Sequence, residues 1–194
     1  VDLAYQGFGE GIKEDISSID LMLKSGIELI IAQSFSKNFG LYGERVGALH
    51  ILMNDENMVE NMESQLQRLA RVLYSNPPLH GARLVTEVLS DAELTQQWKE
   101  ELSQMRERIT LMRLELVDAL EKACPSKDFS FMRNQKGMFS FSGLNKVHVT
   151  ALKKDYGIYM PDSGRINIAG LCKEKIPYAV DAIVSVVTRN YEKV

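Results

Sequence analysis

Ala32-Gln33-Ser34-Phe35-Ser36-Lys37-Asn38-Phe39-Gly40-Leu41-Tyr42-Gly43-Glu44-Arg45-Val46-Gly47 joins two apolar runs, Ile27 to Ala32 and Val46 to Met53. Apolar runs of this length, bounded by glycine and polar residues, read as buried strands. The polar residues between them therefore sit where a strand gives way to a loop, the place where open α/β sheets carry their chemistry. Lys37 stands among hydroxyls, an amide and glycines rather than in a run of like charges, and Arg45 follows in the same loop. An amine attacks a carbonyl only when neutral, and burial or a nearby cation disfavours the charged form. Lys37 is thus a candidate nucleophile, and Arg45 a candidate source of the nearby cation.

Upstream, Val1 to Tyr5 is strand-like, and Gly7, Gly9 and Gly11 lack the G-x-G-x-x-G spacing of a phosphate loop, so they read as a flexible turn. Ile12, Ile16, Ile19 and Leu23 share one helical face, ended by Ser25-Gly26. The order strand, helix, strand, lysine loop, strand predicts the tail of an α/β sheet, with Val46 to Met53 free to run antiparallel. Downstream, Asn54 or Asp55 caps a helix striped by Met58, Met62, Leu66, Leu69 and Leu73, with Arg71 off the stripe near its end. Tyr74-Ser75-Asn76-Pro77-Pro78 breaks that helix. His80 reads as a packing or capping residue. Ser90-Asp91-Ala92-Glu93 has the capping-box pattern, with Ser90 as N-cap and Glu93 three residues on. It opens a long helix striped by Leu94, Trp98, Leu102, Met105, Ile109, Met112, Leu116 and Leu120 and running toward Ala123. Trp98 belongs to that packing stripe, and a helix on the order of 45 Å long can link two domains.

Beyond Pro125 come short segments: Phe129 to Asn134, Gly137 to Phe141, a helix near Lys146 to Tyr156, Arg165 to Ala169, and a last helix bearing Ile176, Val180, Ile183 and Val187. They make a small α/β domain. Alternation puts Arg165, Asn167 and Ala169 on one strand face. An arginine on a rigid strand can bind a carboxylate bidentately, which a lysine cannot reproduce.

Composition excludes little: 194 residues, 45% hydrophobic, 25% charged, net charge −3. No basic, aromatic-interleaved stretch points to nucleic acid, no apolar run approaches the ~20 residues that span a bilayer, and no signal-peptide pattern opens the sequence. Cys124 and Cys172 are too few for a disulfide framework or a metal cluster and read as free thiols. An intracellular protein is expected, cytoplasmic with an organellar form as the alternative.

Ser34 to Gly47, taken whole, closely resembles the lysine segment of aspartate aminotransferases, a branch of the class I, fold-type I transaminases that use pyridoxal phosphate. Asp2-Leu3-Ala4-Tyr5-Gln6-Gly7-Phe8 resembles the family's cofactor-ring segment. Tyr74 to Pro78 and Gly164-Arg165-Ile166-Asn167-Ile168-Ala169-Gly170 resemble its interface and substrate segments, in the right order along the chain. The resemblance implies an α/β fold made of the last strands of the family's large domain (residues 1–92) joined by the long helix to the small substrate-closing domain (residues 93–194). It also implies that about the first half of the family's chain is absent.

What the resemblance implies for chemistry is transamination between L-aspartate and 2-oxoglutarate, giving oxaloacetate and L-glutamate. Lys37 would hold the aldehyde of pyridoxal 5'-phosphate covalently and then act as the base at the substrate Cα. Asp2 would pair with the pyridine nitrogen, Tyr5 with the ring oxygen, and Ser34 and Arg45 with the phosphate. Arg165 would hold the substrate α-carboxylate, with Phe139 packed beside it. Arg71 would reach across a homodimer to the distal carboxylate of a dicarboxylic amino acid or 2-oxo acid in the partner subunit. Two alternatives stay open: a non-catalytic piece lacking half of the site, and a fold-type I enzyme of broader, aromatic specificity or one catalysing β-elimination.

Overall fold

Leu29 and Ile31, alternate residues of the apolar run before the lysine loop, are buried and define the inner face of a strand. Three strands pair around it: β1 (Asp2–Leu3), β2 (Leu29–Ser34) and β3 (Gly47–Leu52). β1 runs parallel to β2, with Asp2 opposite Ala32, and β3 runs antiparallel, with Ser34 opposite Gly47 and Leu29 opposite Leu52. The pairing continues one step past the strands, where the Phe35 N–H donates to the Val46 carbonyl at 3.1 Å. Gly47 is obligatory here, because a side chain would run into the Gln33 carbonyl across the pair. The computed structural model describes residues 1–189.

Parallel strands need a crossover, and α1 (Ser17–Lys24) provides it. Its Ile19 packs on Leu29 and Ile31, with Leu3, Ile16, Met22 and Leu52 around them. The helix starts at Ser17, later than the sequence pattern suggests, and the glycine-rich segment before it is not a loose turn. Asp15 gathers it: its carboxylate accepts from the backbone N–H groups of Gly7 (2.8 Å), Gly9 (2.9 Å), Glu10 (2.8 Å) and Gly11 (3.4 Å). Those bonds hold the loop in place of a further helical turn, leaving only a single 3-10 turn over Glu14–Ile16.

Beyond β3, Asp55 caps the chain by accepting from the Asn57 N–H at 2.9 Å, and α2 (Val59–Leu73) follows. Its apolar stripe is only partly covered by the described residues: Met62 and Leu66 are half-buried, but Leu73 is 75% exposed, and Met58 and Leu69 are exposed as well. A helix that the sequence pattern did not disclose, α3 (Leu79–Ser90), comes next. Gly81 lets its first turn lie against the end of the lysine loop, since a Cβ there would sit 3.0 Å from the Val46 Cβ. Because α3 runs through Ser90, the N-cap of the long helix moves one residue on: Asp91, not Ser90, accepts the Leu94 N–H at 2.9 Å.

α4 (Ala92–Ala123) is the long helix. The two compact units of the chain divide inside it, between Ser103 and Gln104, whereas the sequence reading drew the line at 92/93. The first turns stay with the first unit because Trp98 and Leu102 pack there: Trp98 stacks on Phe39, and Leu102 lies over Gly7.

In the second unit, α4 contributes Leu116, Val117 and Leu120 to the buried core, α5 (Lys146–Tyr156) contributes Val149 and Leu152, and α6 (Ile176–Thr188) contributes Val180, Ile183 and Val186. Phe129 to Asn134 does not alternate as a strand; Ser130–Asn134 winds as a 3-10 turn that buries Met132. β4 (Phe139–Phe141) and β5 (Arg165–Asn167) pair antiparallel, with Phe139 opposite Asn167 and Phe141 opposite Arg165. β5 is shorter than expected. Ile168 is fully buried and donates its N–H to the Met138 carbonyl at 2.8 Å, which turns the chain off the strand line into a 3-10 turn. No helix among the described residues is long and apolar enough to cross a membrane, and no cluster of metal-ligating side chains occurs among them.

Candidate active site

The lysine turn is fixed from both sides of Lys37. Ser36 is buried and donates its N–H to the Ser34 Oγ at 3.2 Å. Asn38 is buried too; its side-chain amide donates to the Gln6 carbonyl at 3.3 Å, and its own carbonyl accepts the Trp98 indole N–H at 2.7 Å. Phe39 stacks on Trp98 with ring centres 4.6 Å apart and takes Phe35 edge-on at 5.5 Å. Gly40 closes the turn at φ 67, donating its N–H to the Lys37 carbonyl at 3.1 Å. With both neighbours anchored inward, the half-buried Lys37 is the residue left to project outward.

The Lys37 Nζ lies 4.9 Å from the centre of the Tyr5 ring and 5.8 Å from that of Tyr42. It makes no ion pair among the described residues. With no carboxylate holding it among the described residues, this amine is open to covalent capture of an aldehyde. Tyr5 stands at a turn closed by the Phe8 N–H donating to the Tyr5 carbonyl at 3.1 Å. Tyr42 was not anticipated; only its place in the same loop could have suggested it.

Around this pair, Asp2 is exposed on β1. The Ser34 Oγ accepts the Ser36 N–H, which leaves the hydroxyl proton to donate elsewhere. Arg45 is exposed, and its guanidinium folds back to donate to the Tyr42 carbonyl at 3.1 Å. That one bond leaves most of its five donors for an anion. Arg71 donates to the Ser75 Oγ at 2.7 Å at the end of α2. Arg45 (φ 52) and Ser75 (φ 67) are the non-glycine residues in the left-handed region among the described residues. Such backbone costs on the order of 1 kcal/mol or more and persists where the surroundings impose it, often at binding sites.

In the second unit, the Arg165 guanidinium lies 4.5 Å from the centre of the Phe139 ring and makes no ion pair among the described residues. It stands at a cavity of about 380 Å³ walled by Leu116, Leu152, Ile158 and Ile183. An exposed guanidinium backed by a ring and edged by apolar walls suits a carboxylate attached to an organic body. A second arginine, absent from the sequence expectations, supports this loop from beneath. Arg113 on α4 is only 2% exposed and donates to the Gly137 carbonyl, two residues before Phe139. Its Nε has no hydrogen-bond partner among the described residues, and burial lowers its pKa. Its place within an apolar stripe was the one available signal.

The order of strands, the lysine turn and the carboxylate-ready arginine define a fold-type I aminotransferase architecture. A model of the aminotransferase class I and II family matches residues 1–183, and the chain belongs to that family. It is 46% identical over 186 residues to the aspartate aminotransferase of Pseudomonas aeruginosa, an alignment covering 96% of this chain and 47% of that protein. Among solved structures, it superposes with a TM-score of 0.93 on an aromatic-amino-acid aminotransferase from Burkholderia pseudomallei covalently bound to pyridoxal phosphate. Identity there is 43%, over 96% of this chain and 47% of that one. A mitochondrial aspartate aminotransferase from Trypanosoma brucei gives a TM-score of 0.90 at 44% identity, over 97% of this chain and 50% of that one. The chain thus spans about half the length of the relatives it matches.

Proposed function

We propose that this chain carries the lysine and substrate-arginine segments of a pyridoxal-phosphate-dependent aspartate aminotransferase, exchanging the amino group between L-aspartate and 2-oxoglutarate. The observation that carries the reading is the Lys37 turn, in which two buried neighbours aim at the Tyr5 ring an amine that makes no ion pair among the described residues. Bound there, the cofactor would supply a protonated pyridine ring that draws electrons from the substrate Cα. Lys37 would hold the cofactor and move the proton at that Cα. Asp2 would keep the pyridine nitrogen protonated, Tyr5 would donate to the ring oxygen, and Ser34 and Arg45 would bind the phosphate. Arg165, backed by Phe139, takes the α-carboxylate. Arg71 serves the distal carboxylate of a substrate bound in the partner of a homodimer, and the exposed apolar stripe of α2 supports such an interface. The free thiols Cys124 and Cys172 are in keeping with a cytoplasmic site of action.

A second reading, transamination of aromatic amino acids, draws support from the apolar cavity beside Arg165 and from the likeness to the Burkholderia enzyme. The test of cofactor capture is to add pyridoxal phosphate to the chain, reduce with borohydride and map the labelled peptide. The expected result is one label per chain, on Lys37, lost in Lys37→Ala without loss of the fold. Label scattered over several lysines, or undiminished in Lys37→Ala, would overturn the assignment and favour a non-catalytic piece. With a labelled chain in hand, comparing oxaloacetate with phenylpyruvate as acceptor separates the two substrate readings.

A further inference from the structure

Asp15 is a carboxylate that none of the roles above employs, yet it makes more charge-assisted hydrogen bonds than any proposed site residue. It sits in the first turn after the glycine segment and gathers the N–H groups of Gly7, Gly9, Glu10 and Gly11. Successive backbone N–H groups converging on one point make an anion-binding nest. In this chain the anion is internal. A side chain at Gly9 would collide with the Asp15 carboxylate, so that glycine lets the acid in, and the nest is already filled without a phosphate.

The clamped loop begins immediately after Tyr5, touches the lysine turn directly once and reaches it a second time through α4. The Gln6 carbonyl accepts the Asn38 side-chain amide at 3.3 Å. Gly7 lies beneath Leu102, one helical turn along α4 from Trp98, which in turn holds the Asn38 carbonyl and the Phe39 ring. Tyr5 and Lys37, remote in sequence, therefore face each other across a floor whose two halves are pinned by Asp15 and by Asn38.

We propose that Asp15 is a positioning residue: by locking the Gly7–Gly11 loop it fixes Tyr5 against Lys37 and, through Gln6 and Asn38, steadies the lysine turn itself. The proposal rests on Lys37 being the reactive group only for its functional consequence; the mechanical coupling stands apart from that reading.

The experiment is amide hydrogen exchange on the cofactor-free chain, comparing the native protein with Asp15→Asn, whose amide presents N–H where two backbone donors need an acceptor. Roughly tenfold or faster exchange is expected over residues 7–11 once charge-assisted bonds are lost, with a several-fold rise over 36–40 and no change in β2 and β3. Loosening confined to 7–11 would overturn the proposal. Should Asp15→Asn release β2 and β3 as well, Asn38→Ala approaches from the other end. Coupling is reciprocal, so exchange over 7–11 must then rise several-fold, and an unchanged rate there would refute it. Borohydride labelling of the same proteins separates the two claims. Failure of the native chain to label at Lys37 counts against the proposed function alone, while in a labelling chain Asp15→Asn must lower the preference for Lys37 over other lysines several-fold.

Discussion

Trp98 is the one tryptophan of the chain, and its indole makes two separable contacts with the lysine turn. The N–H donates to the Asn38 carbonyl at 2.7 Å, and the ring stacks on Phe39 at 4.6 Å with planes 20° apart. Trp98→Phe keeps a ring for the stack and deletes the donor; an intramolecular hydrogen bond of this kind contributes about 1 kcal/mol net. Trp98→Leu deletes both, and an aromatic pair adds about 1 kcal/mol beyond its buried area, so the loss should reach about 2 kcal/mol. Urea unfolding followed by far-ultraviolet circular dichroism measures this. At an m-value of about 2 kcal/mol/M the midpoints should fall by about 0.5 M and about 1 M. Phenylalanine matching the native stability would show that the indole N–H does not anchor Asn38. Equal losses for Phe and Leu would show that the stack contributes nothing. Either result would remove the argument that α4 holds the lysine turn in place.

Two further expectations concern the second unit. Arg113→Met removes a buried guanidinium that has no anionic partner among the described residues and donates to the Gly137 carbonyl. Relief of charge burial offsets the lost bond, so stability should change by no more than about 1 kcal/mol, and a thermal melt showing a loss of several kcal/mol would contradict this. His148 is held below the usual histidine range first by burial and second by Lys127, while its Nδ1 accepts the Asn145 N–H at 3.3 Å. The folded pKa lies below the unfolded value of about 6.5, so the contribution is complete above about pH 6.5 and is lost as pH falls through the folded value. His148→Gln keeps an acceptor for the Asn145 N–H without titrating. It should flatten the stability profile just below about pH 6.5, and a profile unchanged from the native one would refute the role.

Elements with a local cause are legible in the order of residues alone. The β1–α1–β2 crossover, α4 ending at Ala123 and α5 spanning Lys146–Tyr156 follow from apolar periodicity and from Gly, Pro and Asn punctuation acting over a few residues. Lys37 is singled out by its neighbours in sequence. What stays hidden depends on partners far along the chain. α3 starts directly after the proline break; its inward face is short, with Gly81 and Val85 buried, while Leu79, Leu84 and Leu89 are exposed, so apolar residues lie all round it and no single stripe announces it. Ser90, with Glu93 three residues on, satisfies the capping-box pattern and Asp91 does not, yet Asp91 is the cap because α3 runs through Ser90. Tyr42 and Arg113 matter through a ring face and a carbonyl whose positions no spacing rule encodes.

The glycine segment shows the limit most sharply. Three glycines in alternation say that backbone N–H groups will be exposed and close together, and two outcomes are compatible with that: a mobile turn, or a nest awaiting an anion. The deciding residue, Asp15, lies four positions past the last of these glycines, where an acid ordinarily reads as helix-starting surface charge. Burial alone would raise its pKa, yet the four N–H groups outweigh it and hold the carboxyl below the usual range. The charged form is thus the one the fold selects. A depressed carboxyl contributes stability above its unfolded value of about 4 and loses it as pH falls through the folded value. The loop beside Tyr5 should accordingly remain locked across the neutral range in which a lysine-based transaminase would work, and loosen only in acid. In this chain the glycine run is therefore a self-filled nest, with Asp15 as its anion, rather than a phosphate loop or a hinge.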